Sequence, residues 1–144
     1  MQPDKRDWDI IRLLSEQHAT NTEIARRLGL SEGTVRQRLK RLQDEGILKI
    51  KALRDPNRLE EQQLALVAAT IAESRMLDAT AKKIAKLNHV MSVSILSGQY
   101  DLMIEIVVES NKGLIRFLTE ELSKVEGITK TETFLILRSY NKWI

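Results

Sequence analysis

One group of residues in this 144-residue chain has the types and spacing to do chemistry: Arg36, Gln37, Lys40 and Arg41, with Ser31, Gly33 and Thr34 just before them. At about 100° per residue these fall on the side of a helix opposite the apolar seam Val35, Leu39 and Leu42. Arginine offers a planar fork to guanine or phosphate, and glutamine can make a paired contact to adenine. Ser31 and Thr34 at the helix start can meet phosphate where the N-terminal N–H groups point outward. The surroundings share this character. From Arg26 to Arg54 the chain carries nine Lys/Arg against three acids, although its net charge is only +3. That local basic patch, with Lys49 and Lys51 extending it, points to double-stranded DNA as the partner.

The elements that must position these residues are also readable. Thr20 and Glu23 form a capping box for one helix, Gly29 stands where a left-handed residue closes it, and Ser31 caps the next. The spacing predicts a helix-turn-helix, preceded by a helix over residues 4–17 whose buried stripe is Trp8, Ile11 and Leu14 with Ile10 and Leu13. Residues 47–54 alternate apolar and basic, which predicts a short strand or wing. Asp55-Pro56-Asn57 reads as a turn, and residues 55–63 as a linker.

Beyond residue 64 the pattern changes. Apolar runs over 64–72, 90–96, 101–109 and 131–139 predict strands, and residues 77–87 and a stretch through Leu114, Phe117, Leu118 and Leu122 predict helices. The order is βαββαβ, a ferredoxin-like unit with an antiparallel sheet and both helices on one face. The fold class is therefore α+β, with a helix-turn-helix domain over 1–54 (winged-helix-like) and a βαββαβ domain over 64–144. The predicted third strand sets Leu102, Ile104, Ile106 and Val108 on one side, with Met103 and Val107 on the other. A sheet face open to water would be more polar than that, so a second copy of the chain is expected to cover it.

Composition sets the outer bounds. Apolar content of 42% and charged content of 30% describe an ordinary globular chain. No apolar run is long enough to span a bilayer, and the polar start is not a signal peptide, so no membrane partner and a cytoplasmic location are expected. There is no cysteine and only two histidines, His18 and His89, so no metal site and no cofactor are expected. No nucleophile elbow, phosphate loop or carboxylate pair is evident, and an enzyme is not expected.

Taken in order, Asp7-x-x-Ile10-x-x-Leu13-Leu14, Glu23-Ile24-Ala25, Gly29-Leu30-Ser31, Arg38-Leu39 through Gly46-Ile47-x-Lys49, Asp55-Pro56, Ser97-Gly98-x-Tyr100-Asp101-Leu102 and Val125-Glu126-Gly127-Ile128-x-x-Thr131-x-Thr133 resemble the Lrp/AsnC family of transcription regulators. The resemblance covers nearly the whole chain. It implies a DNA-binding regulator whose C-terminal domain binds a small effector, commonly an amino acid, and dimers that assemble into octamers. It also implies an effector site at the turn Gly98, Gln99, Tyr100 and Asp101, where neighbouring dimers meet, with Thr131 and Thr133 on the last strand. The chain departs from the family at Ile50-Lys51, where Gly-Tyr is usual, and in a shorter loop before Thr20. An architectural DNA-wrapping protein is the alternative reading, and a sirohaem-decarboxylase-like enzyme a remote one.

Overall fold

The N-terminal helices form because their ends are capped and one stripe of each is apolar. The computed structural model describes residues 2–144 and divides into two compact units, with the boundary between Ala52 and Leu53. In the first, α1 (Lys5–Glu16) starts at Asp4, whose carboxylate accepts the Asp7 N–H while Asp7 accepts the Asp4 N–H. The α2 helix (Asn21–Leu28) starts with the same reciprocal pair between Thr20 and Glu23. Gly29 then turns left-handed at φ 63°, and the Leu30 N–H reaches back to the Ala25 carbonyl at 2.9 Å. Ser31 caps α3 (Glu32–Asp44), accepting the Thr34 N–H at 3.1 Å. Ile10, Ala19, Ile24, Ala25, Val35 and Leu39 make the buried core, with Leu13, Leu14, Leu28, Leu30 and Leu48 partly buried against it.

Two expectations are corrected in this unit. Trp8 lies outside, 55% exposed, and the α1 stripe is completed by Asp7, which is 1% exposed. A carboxylate takes a core position because two arginines meet it there. The strand or wing over residues 47–54 does not form. Its first N–H groups, those of Ile47 and Leu48, are drawn back to the Leu42 carbonyl at 2.9 and 3.0 Å, closing α3 around a left-handed Gly46. A two-residue period alone cannot make a strand without a ladder partner. Lys49 and Lys51 are exposed in this irregular stretch.

The second unit is a four-stranded antiparallel sheet in the order β2-β3-β1-β4, made of β1 (Gln63–Ile71), β2 (Val90–Ile95), β3 (Leu102–Val108) and β4 (Ile128–Ile136). The helices α4 (Leu77–Ile84) and α5 (Asn111–Arg116) bridge β1 to β2 and β3 to β4. The central strands show why this sheet holds together. Ala65, Val67, Ala69 and Ile71 of β1 and Leu102, Ile104, Ile106 and Val108 of β3 alternate onto one side. There they join Ala81, Ile84, Phe117 and Leu122 in a single buried cluster.

The fourth strand occupies 128–136 rather than the expected 131–139. Gly127, at φ 95°, turns the chain straight into the ladder, and its carbonyl takes the Ala72 N–H at 2.8 Å. At the other end, Ile136 pairs with Leu64, one residue from the start of β1, so residues 137–139 have no strand to lie against. The stretch expected to be a linker is also structured. Asp55 caps a short 3-10 turn, Pro56–Arg58, with Pro56 buried. The Asn57 side chain donates to the Ser139 carbonyl and accepts the Ser139 N–H.

Candidate nucleic-acid interface and effector region

The outward side of α3 is built from the seam upward. With Val35, Leu39 and Leu42 buried, Gly33, Arg36, Gln37 and Lys40 are left exposed on the opposite side. Ser31 and Thr34 share a hydroxyl–hydroxyl bond of 2.8 Å at the helix start. Lys40 pairs with Asp44 one turn on at 2.6 Å, both well exposed. Such a pair contributes little to stability and exchanges readily for a phosphate.

Arg41, expected on the same face, is only partly exposed and also has a partner within the unit. Its Nη2 donates to Asp7 Oδ2 at 2.5 Å, so one side of its guanidinium is committed to the core. Arg38 joins it, with Nη1 at 2.8 Å from Asp7 Oδ1 and 2.7 Å from Asp4 Oδ2. Proximity to Arg38, and next the Asp7 N–H, holds the Asp4 carboxyl below its ordinary value of 3.8. Asp4, then Asp7, push the Arg38 guanidinium up. The Thr20 N–H and hydroxyl likewise lower Glu23 from 4.5. Carboxylates lowered by folding contribute stability above their ordinary values and lose it as pH falls through the lowered folded ones. The N-terminal unit is therefore expected to melt at a steady temperature from neutral pH to about pH 5, and at progressively lower temperatures below about pH 4. Thermal melts in steps from pH 7 to pH 3 check this; a flat profile would remove these caps as sources of stability.

The six residues of the expected effector site are brought partly together. The Asp101 N–H donates to the Ala69 carbonyl at 3.0 Å, and Ala69 faces Thr131 across the β1–β4 ladder. The row across the three strands is Leu102, Ala69 and Thr131, with Asp101 next to it at the end of the turn. The Tyr100 hydroxyl donates to the carboxylate of Glu132, which alternates onto the sheet face opposite Thr131. Thr131 and Thr133 alternate onto the helix side of β4, and Thr131 helps line a cavity of about 200 Å³ with Leu118, Leu122, Ser123, Val125, Ile128, Thr129 and Lys130. Gly98 and Gln99 are exposed at the turn. Gly98 does not take a left-handed conformation. Glu132 was missed from the sequence, because a carboxylate on an edge strand carries no pattern of its own.

Asp101 itself has a structural partner. Its Oδ2 accepts the partly buried Ile71 N–H at 2.7 Å, fastening the β2–β3 turn to β1. Asp101→Ala leaves that N–H unpaired and is expected to destabilise the second unit by about 1–3 kcal/mol. Asp101→Asn keeps an acceptor oxygen and should stay within about 1 kcal/mol of the parent. Denaturant melts of the two variants check the difference. Equal losses would show that the clamp does not act through this acceptor.

A three-helix unit with a basic outward helix has the form of a DNA-binding helix-turn-helix, and a four-stranded sheet backed by helices follows it in the chain. Known proteins agree. A family model described as winged helix-turn-helix DNA-binding matches residues 3–49, and one described as the Lrp/AsnC ligand binding domain matches residues 64–142. An uncharacterized HTH-type transcriptional regulator of Pyrococcus furiosus is 37% identical over 142 residues, covering 97% of this chain and 95% of that protein. The leucine response regulatory protein LrpA of Mycobacterium tuberculosis has the same fold at a TM-score of 0.80 and 22% identity, covering 97% of this chain and 96% of that one. A transcriptional regulator of Neisseria meningitidis, solved as a complex with L-Met, matches at a TM-score of 0.73 and 24% identity, covering 98% and 94%. The chain belongs to the Lrp/AsnC family of helix-turn-helix transcriptional regulators. Among the described residues, no helix is long and apolar enough to cross a membrane.

Proposed function

We propose that this chain is a sequence-specific DNA-binding regulator whose affinity for DNA is set by an amino acid or a similar small effector. The observation that carries the reading is the outward side of α3, where Arg36, Gln37 and Lys40 stand exposed over a buried apolar seam. In this reading Arg36 and Gln37 contact base edges, Lys40 exchanges Asp44 for phosphate, and Ser31, Thr34, Lys49 and Lys51 hold the flanking backbone. Gly33 presents no side chain at the exposed helix start, so the backbone there can approach the duplex closely.

The effector is placed at the turn 98–101 and the adjoining Thr131 and Thr133. The Neisseria relative bound to L-Met supports an amino acid as the ligand class. The protein acts as a homodimer, assembling further to an octamer, in the cytoplasm. The sheet side away from the helices supports a covering copy: Leu66, Met103, Val107 and Phe134 lie on it, with Phe134 43% exposed.

Thermal melting against each of the twenty amino acids at millimolar concentration tests the effector part. A ligand at a hundred times its dissociation constant stabilises the folded protein by about 2.7 kcal/mol per site. A shift with one or a few amino acids is the expected result. No shift with any of them would favour an architectural DNA binder that needs no effector.

A further inference from the structure

The contact between α1 and α3 holds more than apolar packing, and the surplus lies where the recognition helix is set. The seam residues Val35 and Leu39 pack against Ile10, Ile24 and Ala25, contacts that are not directional and tolerate some rotation of α3 about its axis. Asp7 is different. Its two oxygens receive Arg38 and Arg41, one turn apart on α3, at 2.8 and 2.5 Å. Oδ2 also accepts the Asp4 N–H at 2.9 Å, which ties the carboxylate to the first turn of α1. Arg38 spans from Asp7 to Asp4, so neither partner can turn away alone.

With Asp7 buried and the arginines partly exposed, such a cluster is a poor source of stability, since desolvation of the carboxylate offsets much of the attraction. What it adds is direction. Rotating α3 by about 20° would sweep its side-chain surface by about 2 Å at a radius of roughly 5–6 Å, enough to break both bonds. Reading base edges needs Arg36 and Gln37 held to about 0.5 Å. We propose that Asp7 is a positioning residue for DNA recognition: by gripping Arg38 and Arg41 it fixes the axial setting of α3, and so contributes to discrimination between sequences more than to overall affinity. This rests on the DNA-binding reading above.

The test compares the full-length chain with Asp7→Asn and Arg41→Lys. Each is titrated against a duplex selected in vitro by the parent chain and against a random duplex, at several salt concentrations. Fraction folded is followed by circular dichroism at the same temperature. The expected result is at least a tenfold loss of affinity for the selected duplex, less than threefold for the random one, with the chain folded. Losses that are equal for the two duplexes, or absent, would overturn the proposal and assign Asp7 to stability alone. Should Asp7→Asn prove unfolded, Arg41→Lys decides by the same ratio, since it keeps the charge and removes the fixed fork. Failure of the parent chain to bind any duplex would overturn the DNA-binding reading and this inference with it. Binding by the parent with unchanged ratios in both variants would overturn this inference alone.

Discussion

Replacing Arg36, Gln37 and Lys40 together with alanine is expected to weaken binding to a preferred duplex by about a hundred- to ten-thousand-fold. The range follows from removing one or two base contacts, each of about 1–3 kcal/mol, together with phosphate contacts. Loss of two cations should also lower the slope of log affinity against log salt by about 2. The melting temperature should hardly move, because all three side chains are exposed and the seam beneath them is untouched. Fluorescence anisotropy across salt concentrations measures both quantities. Affinity retained at every salt concentration would place the DNA on another surface.

The second large effect is in the other unit. Phe117 is fully buried, at the point where α5 passes into a π turn over Phe117–Glu121, and it fills the space between that helix and the central strands. Phe117→Ala is expected to cost about 3–5 kcal/mol, from lost transfer energy and the cavity left behind. For a unit of this size that corresponds to a fall of more than about 12 °C in melting temperature. Calorimetry should show the sheet unit melting early while the helix-turn-helix transition stays in place. A fall of only a few degrees would mean that the widened turn lets the helix collapse into the gap.

The effects separate by unit because the two halves are held by different means, and this also decides what was legible in the sequence. The helix-turn-helix could be read because caps, turn and periodicity report locally: Thr20 with Glu23, Gly29 and Ser31 stand where the sequence placed them. The sheet was legible in its order and in the facing of β3, which a two-residue period dictates. The ends of β4 were not, since they depend on where β1 starts and on the left-handed Gly127. The wing failed for a related reason, as alternation at 47–54 could not reveal that Leu42 captures the first N–H groups.

The site was legible where exposure alone mattered and obscured where a partner intervened. Arg36, Gln37 and Lys40 are outward because the seam is inward. Arg41 was expected beside them, yet it turns to a carboxylate 34 residues earlier in the chain. Trp8 lies outside because Asp7, rather than an apolar residue, takes the inward position on α1, where Arg38 and Arg41 meet it. Asp101 was legible as a residue of the turn, but not the Ile71 N–H that it holds, which comes from a strand thirty residues earlier.

The most direct test of the central claim is an equilibrium titration of the full-length chain onto a selected duplex, with and without the amino acid that most raises its melting temperature. A coupling typical of regulated binding changes affinity by about 5- to 150-fold. The account predicts a change in that range, in either direction, with binding that weakens steeply as salt rises. Binding to the selected duplex no tighter than to a random one, and indifferent to the amino acid, would contradict it.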